Sequence, residues 1–278
     1  MRRNLLGVAY VLAAVIALAF LLLPIVAIFV RISPAQLVDQ LSNPVVKDAF
    51  FVSLKTSAIA QTLIVLFGTP AAFLLASRRF RGHSLAVTLV ELPLVLPPAV
   101  AGIGLLAAFG RMGLLGSSLD AFGITVPFTQ SAVTIAVAYV ASPLYIRQAI
   151  AAFEATDPNL AAASRTLGAG PARTFFRVVL PLARGGLIAG LALSFARGLG
   201  EFGATIMFAG SLQKVTQTLP LAIYAQFNLP EGFNAALAMG GALVVFSIVL
   251  LAGLHIGLSW QRSDSNRSVS LFGLSTSS

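Results

Sequence analysis

The sequence predicts an all-α integral membrane protein with about six transmembrane helices and with both termini in the cytoplasm. Hydrophobic residues make up 58% of the 278 residues and charged residues only 10%, and the mean hydropathy is +0.93. Soluble domains contain about 25% charged residues, so water is not the main solvent of this chain. Two further observations support the prediction: the length of the apolar segments, and the uneven distribution of Lys and Arg among the loops between them.

Six apolar segments are each long enough to cross a bilayer as a helix, which requires roughly 20 residues. The strands of a transmembrane barrel would instead be alternating segments of about 10 residues. The first segment follows Arg2 and Arg3, as in a signal peptide, but it is too long for one and has no small-x-small cleavage site, which predicts a retained helix. The segments cover about 5–31, 50–76, 84–110, 130–152, 185–210 and 234–260.

These segments form one predicted transmembrane domain, residues 1–262, with a cytoplasmic loop at 153–181 between the fourth and fifth helices. Residues 263–278 are rich in Ser and can bury little apolar surface, so they are predicted to form a flexible cytoplasmic tail. In the third segment, Pro97 and Pro98 follow Glu91 and interrupt the helical hydrogen bonds. Broken helices occur at membrane depth where the backbone is buried in protein or lines water, so this segment is predicted to face a translocation path. A plain kink in the packing is the alternative.

The Lys and Arg residues of the loops are concentrated on one side of the membrane. Twelve fall on one side and four on the other, and the richer side is predicted to be cytoplasmic. This distribution argues against nucleic acid as the partner, despite the net charge of +9, because the basic residues form no single face. The twelve are Arg2, Arg3, Arg78, Arg79, Arg81, Arg147, Arg165, Arg173, Arg177, Arg184, Arg262 and Arg267, and the four are Arg31, Lys47, Arg111 and Lys214.

Several functional groups are missing from the sequence. There is no cysteine, which excludes disulfides, thiolate catalysis and cysteine metal sites. His83 and His255 are far apart in the sequence and predict no metal site. No Gly-x-x-x-x-Gly-Lys followed by Ser or Thr occurs, so the chain has no P-loop with which to bind nucleotide phosphates. We therefore expect no catalytic residue, metal or cofactor in this chain, and energy for any transport must come from a partner or an ion gradient.

The loop at 153–181 contains signals for two short helices. Asp157 followed by Pro158 is typical of an N-cap and first helical residue, and Gly168 is typical of the left-handed residue that ends a helix. These signals predict a helix over 158–167 and, from Gly170-Pro171, a second one. Small residues on the first helix would let a partner approach closely, and Arg165 would offer it a charged hydrogen-bond donor. A connector lying in the membrane interface is the alternative.

The fifth segment contains a pair of opposite charges near its middle. Arg197 and Glu201 are spaced i,i+4, which places them on one face of a helix. A lone charge at this depth costs at least about 2.5–3.5 kcal/mol, so the pair is predicted either to bind each other or to line a wet cavity. One interpretation is an ion pair that only holds helices together. The other is a pathway element in which Arg197 attracts an anion and Glu201 limits how tightly it is held.

The loop also resembles a known family. Residues 162–181 resemble the EAA loop of ABC-importer permeases, with Gly168 and Leu180-Pro181 in register. In that family the loop is the coupling helix that docks into a groove of the cytosolic ATPase. The glutamate that names the motif is Ala162 here, followed by Ala163 and Ser164, so a salt bridge from that position is in doubt; Glu154 is a candidate substitute.

The resemblance extends over most of the chain, which is similar to the molybdate branch of the family. It is carried by the stretches 91–111, 194–210 and 216–224, and the sulfate/thiosulfate permeases share an Ala-Arg-x-x-Gly-Glu segment. The resemblance implies a multi-pass subunit of the bacterial inner membrane that forms a pore as a homodimer. It also implies two cytoplasmic ABC ATPase subunits that use ATP and Mg, and an extracytoplasmic oxyanion-binding protein. Molybdate is the expected anion, with tungstate and sulfate or thiosulfate as alternatives.

The resemblance and the residue patterns together predict two sets of functional residues. The ATPase-coupling set is Glu154, Asp157, Ala162, Ala163, Ser164, Arg165, Leu167, Gly168 and Pro181. The pathway set is Glu91, Pro97, Pro98, Arg197, Glu201 and Thr205.

Two other classes of protein remain open on the residues alone. An ion-coupled secondary transporter could use Glu91 and Glu201 as ion-carrying carboxylates, but it would leave the capped cytoplasmic loop without a role. A membrane-embedded enzyme would need a clustered nucleophile and base, and the sequence offers no set beyond Arg197 and Glu201.

Overall fold

The computed structural model describes residues 2–249 and 252–253, and all regular secondary structure in this part of the chain is helical. The first half contains seven helices. They are α1 (Arg2–Arg31), α2 (Pro34–Ser42), α3 (Pro44–Ser77), α4 (His83–Val95), α5 (Pro98–Phe109), α6 (Gly116–Ala121) and α7 (Gln130–Glu154).

The second half continues with α8 (Pro158–Thr166) and α9 (Pro171–Thr174), which leads through a π-helical turn (Phe175–Val179) into α10 (Leu180–Leu199). Three further helices follow: α11 (Gly203–Ala209), α12 (Leu219–Phe227) and α13 (Phe233–Val249). The predicted sixth segment, 234–260, is therefore described only in its first part. The tail at 263–278 lies outside the described residues.

The helices have the length and composition of membrane spans. Four in the described part of the chain qualify by themselves: Gly7–Arg31, Pro44–Ser77, Gln130–Glu154 and Pro171–Leu199. A fifth candidate is the pair α4 and α5, which passes the same test as one broken span and is bent by 112°. The predicted all-α membrane class is confirmed.

The fifth span differs from its prediction. It begins at Pro171 and ends at Leu199, whereas the apolar pattern suggested a helix over 185–210. Three glycines at 198, 200 and 203 explain the early end, because glycine costs about 1 kcal/mol in a helix interior. The prediction that Arg197 lies near the middle of a helix is therefore wrong: it lies in the last turn of α10.

The core of the bundle is formed by α7, which packs against α3 on one side and α10 on the other. The α7 residues Ala132, Ala136, Ala141 and Ala149 are fully buried. Small side chains let helix backbones approach closely, which is the main source of packing energy between helices in a bilayer.

The π-helical turn explains how Pro181 fits inside a long helix. Proline has no N–H group, and in a regular α-helix its ring would clash with the carbonyl four residues earlier. Just before it, the Leu180 N–H donates to the Phe175 carbonyl, five residues back, which widens the turn. The helix thus continues from Pro171 to Leu199 and joins the cytoplasmic loop to the interior of the bundle.

Candidate functional site

The predicted loop at 153–181, called the coupling loop below, contains the two short helices that the helix start and end signals in its sequence predict. The side chain of Asp157 accepts a hydrogen bond from the N–H of Asn159 at 2.9 Å, and Pro158 is the first residue of α8. The helix ends at Thr166, and Gly168 has φ +84°, the left-handed conformation. Because a start signal precedes α8 and a stop signal follows it, α8 is a short helix separate from its neighbours in the chain.

The outward face of α8 is exposed in the described part of the chain. No residue of α8 is buried, and Leu160 and Leu167 are 47% and 88% exposed. With Ala163 between them, these residues follow the i, i+3, i+7 spacing of a single helix face. Leu160 is absent from the predicted set, although this spacing could have identified it. An apolar face of this kind suits a cleft on another protein.

The opposite face of α8 ties the helix to the bundle. Ala161 packs against the core cluster that includes Phe153 and Val179. The hydroxyl groups of Ser164 and Thr174 lie 3.2 Å apart, which joins α8 to α9. Among the predicted coupling residues, Ala162, Ala163, Arg165 and Leu167 are therefore exposed, whereas Ser164 faces inward.

Two members of the predicted coupling set lie apart from α8. Glu154 is the last residue of α7, and its carboxylate lies 3.6 Å from the guanidinium of Arg79. Pro181 lies in α10, beyond the π-helical turn. Glu154 therefore already has a partner in Arg79, which makes it less available to take the place of the missing glutamate of the EAA motif.

Arg197 and Glu201 form an ion pair across the end of α10. A guanidinium nitrogen of Arg197 lies 2.8 Å from Oε2 of Glu201, and the side chains are 34% and 1% exposed. The other carboxylate oxygen, Oε1, accepts a hydrogen bond from the N–H of Ala204 at 2.8 Å. Glu201 therefore binds both sides of the break between α10 and α11, which explains why a charged residue is tolerated in the interior.

A second helix break packs directly against the first. A Cβ atom added to Gly203 would lie 2.6 Å from Cβ of Pro98, and one added to Gly102 would lie 2.6 Å from the carbonyl oxygen of Ala204. The α5 helix that follows Pro97 thus contacts α11 at backbone distance. We call this region, comprising Pro97, Pro98, Arg197, Glu201 and Thr205, the helix-break site.

Gly102→Ala is expected to lower the free energy of unfolding by about 1–3 kcal/mol, because the added methyl group meets backbone that has no room to move. Gly104→Ala on the same helix is the matched control, since a Cβ there has no neighbour within 4 Å. Thermal unfolding of the two variants in detergent would measure the difference. Equal stability of the two would contradict the close α5–α11 contact.

Glu91 does not belong to the helix-break site. Its carboxylate lies 3.1 Å from Nε of Arg147, which joins α4 to α7, and the two side chains are exposed rather than buried. The predicted pathway set therefore divides into a group around Glu201, in which Glu201 and Thr205 are buried, and a separate ion pair at Glu91. Arg147 was missed as a partner because the two residues are distant in sequence.

The predicted pathway set also omits a buried polar residue beside the helix-break site. Gln61 is 5% exposed, and neither of its amide atoms has a hydrogen-bond partner among the described residues. A Cβ on Gly198 would lie 3.7 Å from its amide nitrogen. Ser53 and Ser57 precede Gln61 by eight and four residues and lie on the same face of α3. This row of polar residues in the sequence could have identified Gln61. Thr205 is likewise fully buried and its hydroxyl has no partner in the described part of the chain.

These features define a class of protein: a helical membrane subunit with interrupted helices inside the bundle and one short helix exposed outside it. A family model described as the binding-protein-dependent transport system inner membrane component matches residues 64–257. The chain belongs to this family. It is the inner-membrane permease subunit of an ABC importer, and the hydrolysis of ATP belongs to a separate subunit of such importers.

Curated relatives cover most of the chain. The molybdenum transport system permease protein ModB of Mycobacterium tuberculosis is 41% identical over 243 residues, which covers 87% of this chain and 91% of that protein. ModB of Escherichia coli is 42% identical over 204 residues, covering 73% of this chain and 87% of that protein. The sulfate transport system permease protein CysT of Salmonella typhimurium is 36% identical over 238 residues, covering 84% and 86%.

Solved transporters share the fold. A bacterial alginate ABC transporter, crystallised with a periplasmic protein bound to an alginate pentasaccharide, gives a TM-score of 0.73 at 15% identity and covers 91% of this chain and 93% of that one. The inward-facing methionine transporter MetNI gives 0.56 at 17% identity, covering 76% and 91%. At these identities the likeness concerns the fold alone.

Proposed function

We propose that this chain is the permease of a molybdate importer. The observation that carries the proposal is the 41% identity to a permease named for molybdenum transport, over 87% of this chain and 91% of that relative. A sulfate permease is the second candidate, because a protein with that name is 36% identical over 84% of the chain. Both anions are tetrahedral and doubly charged, so the same cationic groups would attract either.

Two copies of the chain form the pore in this proposal, and two ATPase subunits bind the coupling loops on the cytoplasmic side. The exposed face of α8, with Leu160, Ala163 and Leu167, is the surface offered to the ATPase. Arg165 is exposed on the same short helix and provides a charged hydrogen-bond donor to the partner. An extracytoplasmic binding protein delivers the anion from the opposite side.

One continuous helix supports a mechanical link between the ATPase and the pathway. The span Pro171–Leu199 has 29 residues, which at about 1.5 Å per residue gives a length of roughly 40 Å. Its first turns pack on α8 through the contact between Ser164 and Thr174, and its last turn contains Arg197. A displacement of α8 by the ATPase is therefore carried to the helix-break site.

The helix-break site supplies the electrostatics of the pathway in this proposal. The partly exposed guanidinium of Arg197 attracts the oxyanion, and the buried carboxylate of Glu201 neutralises part of that charge. Conduction requires binding that is favourable enough for entry and weak enough for release, and a compensated cation meets both conditions. Pro97 and Pro98 keep α5 short and close to this region.

Reconstitution in proteoliposomes with the cognate ATPase and binding protein would test the substrate. We expect molybdate and tungstate to stimulate ATP hydrolysis and uptake, and sulfate to stimulate neither. Stimulation by sulfate at equal strength would favour the second candidate. Vesicles that contain this chain alone serve as the control: uptake of any oxyanion by them without the ATPase would contradict an ATP-driven permease.

A further inference from the structure

An apolar groove lies on the outside of the bundle between α3 and α10. Its volume is about 500 Å³, within the range of pockets that hold small molecules. The walls come from Val65 and Leu66 of α3 and from Leu187, Ile188 and Leu191 of α10. No residue of the predicted pathway set lines it, so the groove is separate from the helix-break site.

The floor of the groove offers few polar groups to an occupant. The hydroxyl groups of Thr69 and Tyr145 lie 2.6 Å apart and hydrogen-bond each other. Tyr145 is almost completely buried beneath the groove. A polar occupant would therefore lose more hydrogen bonds to water than it could regain, whereas an apolar chain would lose none.

Arg184, between Leu180 and Leu187 in the lining of the groove, carries a positive charge without a partner in the described part of the chain. Arg184 lines the groove and is exposed, and none of the ion pairs among the described residues includes it. The described carboxylates of the neighbouring helices are already engaged: Glu91 binds Arg147 and Glu154 lies beside Arg79. A second copy of this surface would bring the same engaged carboxylates, so an anionic ligand for Arg184 is better supplied by another kind of molecule.

We propose that this groove binds an acidic phospholipid, with the phosphate on Arg184 and one acyl chain along Leu187, Ile188 and Leu191. From Arg184 to Leu191 the helix rises by about 10 Å, which fits within one leaflet of a hydrocarbon core about 30 Å thick. The arginine distribution predicts that Arg184 faces the cytoplasmic leaflet, where acidic lipids attract Lys and Arg. The site does not depend on which anion the transporter carries.

The position of the groove gives the lipid a mechanical role. Phe175, Phe176 and Leu180, which belong to or adjoin the π-helical turn, line the part of the groove that precedes Arg184. A lipid whose phosphate binds Arg184 is held one turn after Leu180 and restrains the joint between the π-helical turn and α10. The transporter is therefore expected to be more stable and better coupled in bilayers that contain acidic lipid.

Lipid titration of the assembled transporter tests the proposal. Phosphatidylglycerol is expected to raise the melting temperature in detergent more than phosphatidylcholine does. Because one Arg near an acidic surface contributes about 1 kcal/mol, Arg184→Gln is expected to weaken phosphatidylglycerol binding about fivefold and to leave phosphatidylcholine binding unchanged. Arg173→Gln is the matched control, since Arg173 is exposed but does not line the groove. An Arg184→Gln variant that keeps the full preference for phosphatidylglycerol would overturn the proposal.

A second measurement identifies the occupant without relying on stability. The chain has no cysteine, so Ile188→Cys introduces a single thiol for a fluorescent label inside the groove. Phosphatidylglycerol with brominated acyl chains is expected to quench this label more strongly than brominated phosphatidylcholine. Equal quenching by the two lipids, or disulfide cross-linking of two Ile188→Cys copies in the bilayer, would show that no acidic lipid is selected there and would overturn the proposal.

Discussion

Replacing Arg197 with Met is expected to lower the free energy of unfolding by about 3 kcal/mol and to reduce transport far more than assembly. Glu201 is buried and loses the cation that lies 2.8 Å away, which leaves an uncompensated charge in the interior. Removal of one partner of a buried pair costs about 3–5 kcal/mol, and the partial exposure of Arg197 favours the lower end. Denaturation of the solubilised chain and flux per assembled complex are the two measurements.

The double variant Arg197→Met with Glu201→Gln separates structure from transport. Glutamine removes the charge and keeps an oxygen for the N–H of Ala204, so most of the lost stability is expected to return. Transport is expected to stay low, because the cation that attracts the anion is still missing. Normal flux per assembled complex in the single variant would contradict the pathway role and would leave the pair a purely structural contact.

Local features of the fold could be predicted well from the sequence. The long apolar segments indicated the membrane class, and Asp157 and Gly168 indicated both ends of α8, because caps and left-handed turns depend on residues only a few positions apart. The end of α10 was missed because the apolar pattern resumes at 204–209, after the three glycines and Glu201, which suggested one segment over 185–210. The packing of Gly203 on Pro98 shows that the chain turns there.

Contacts between distant segments could not be predicted. The pairing of Glu91 with Arg147, and the contact between α5 and α11, join residues that no local pattern relates. The spacing of Arg197 and Glu201 suggested the correct ion pair for an incorrect reason, because the two residues lie on either side of a helix end and not on one helix face. The helix-break site therefore depends on tertiary packing, whereas the coupling loop depends mainly on its own sequence.

This contrast bears on how the two regions would respond to a single substitution. At the helix-break site Glu201 and Thr205 are buried, so a change at either residue alters stability as well as transport. The coupling loop is exposed, so its geometry can be changed while the bundle remains intact. A substitution in the loop is consequently the cleaner way to test the proposed link between the ATPase and the pore.

Gly168→Val is expected to abolish the stimulation of ATP hydrolysis by loaded binding protein while the subunit still inserts and assembles. The φ angle of +84° costs an ordinary residue about 1–2 kcal/mol, and a β-branched residue tolerates it least. A Cβ at this position meets no atom within 4 Å, so the cost of the substitution comes from the backbone conformation and not from a steric clash. The turn after α8 would shift to negative φ and change the angle between α8 and α9. ATPase assays on reconstituted complexes measure the outcome.

Gly168→Asn and Gly170→Ala are the matched controls for this prediction. Asparagine is tolerated in the left-handed region, so Gly168→Asn is expected to retain most of the stimulation. Gly170 has an ordinary φ of −68° and open space around its missing side chain, so Gly170→Ala is expected to behave as the parent protein. Stimulation that survives in Gly168→Val would mean that the orientation of α8 is not what transmits the signal. A defect shared by all three variants would instead point to contact between this turn and the ATPase.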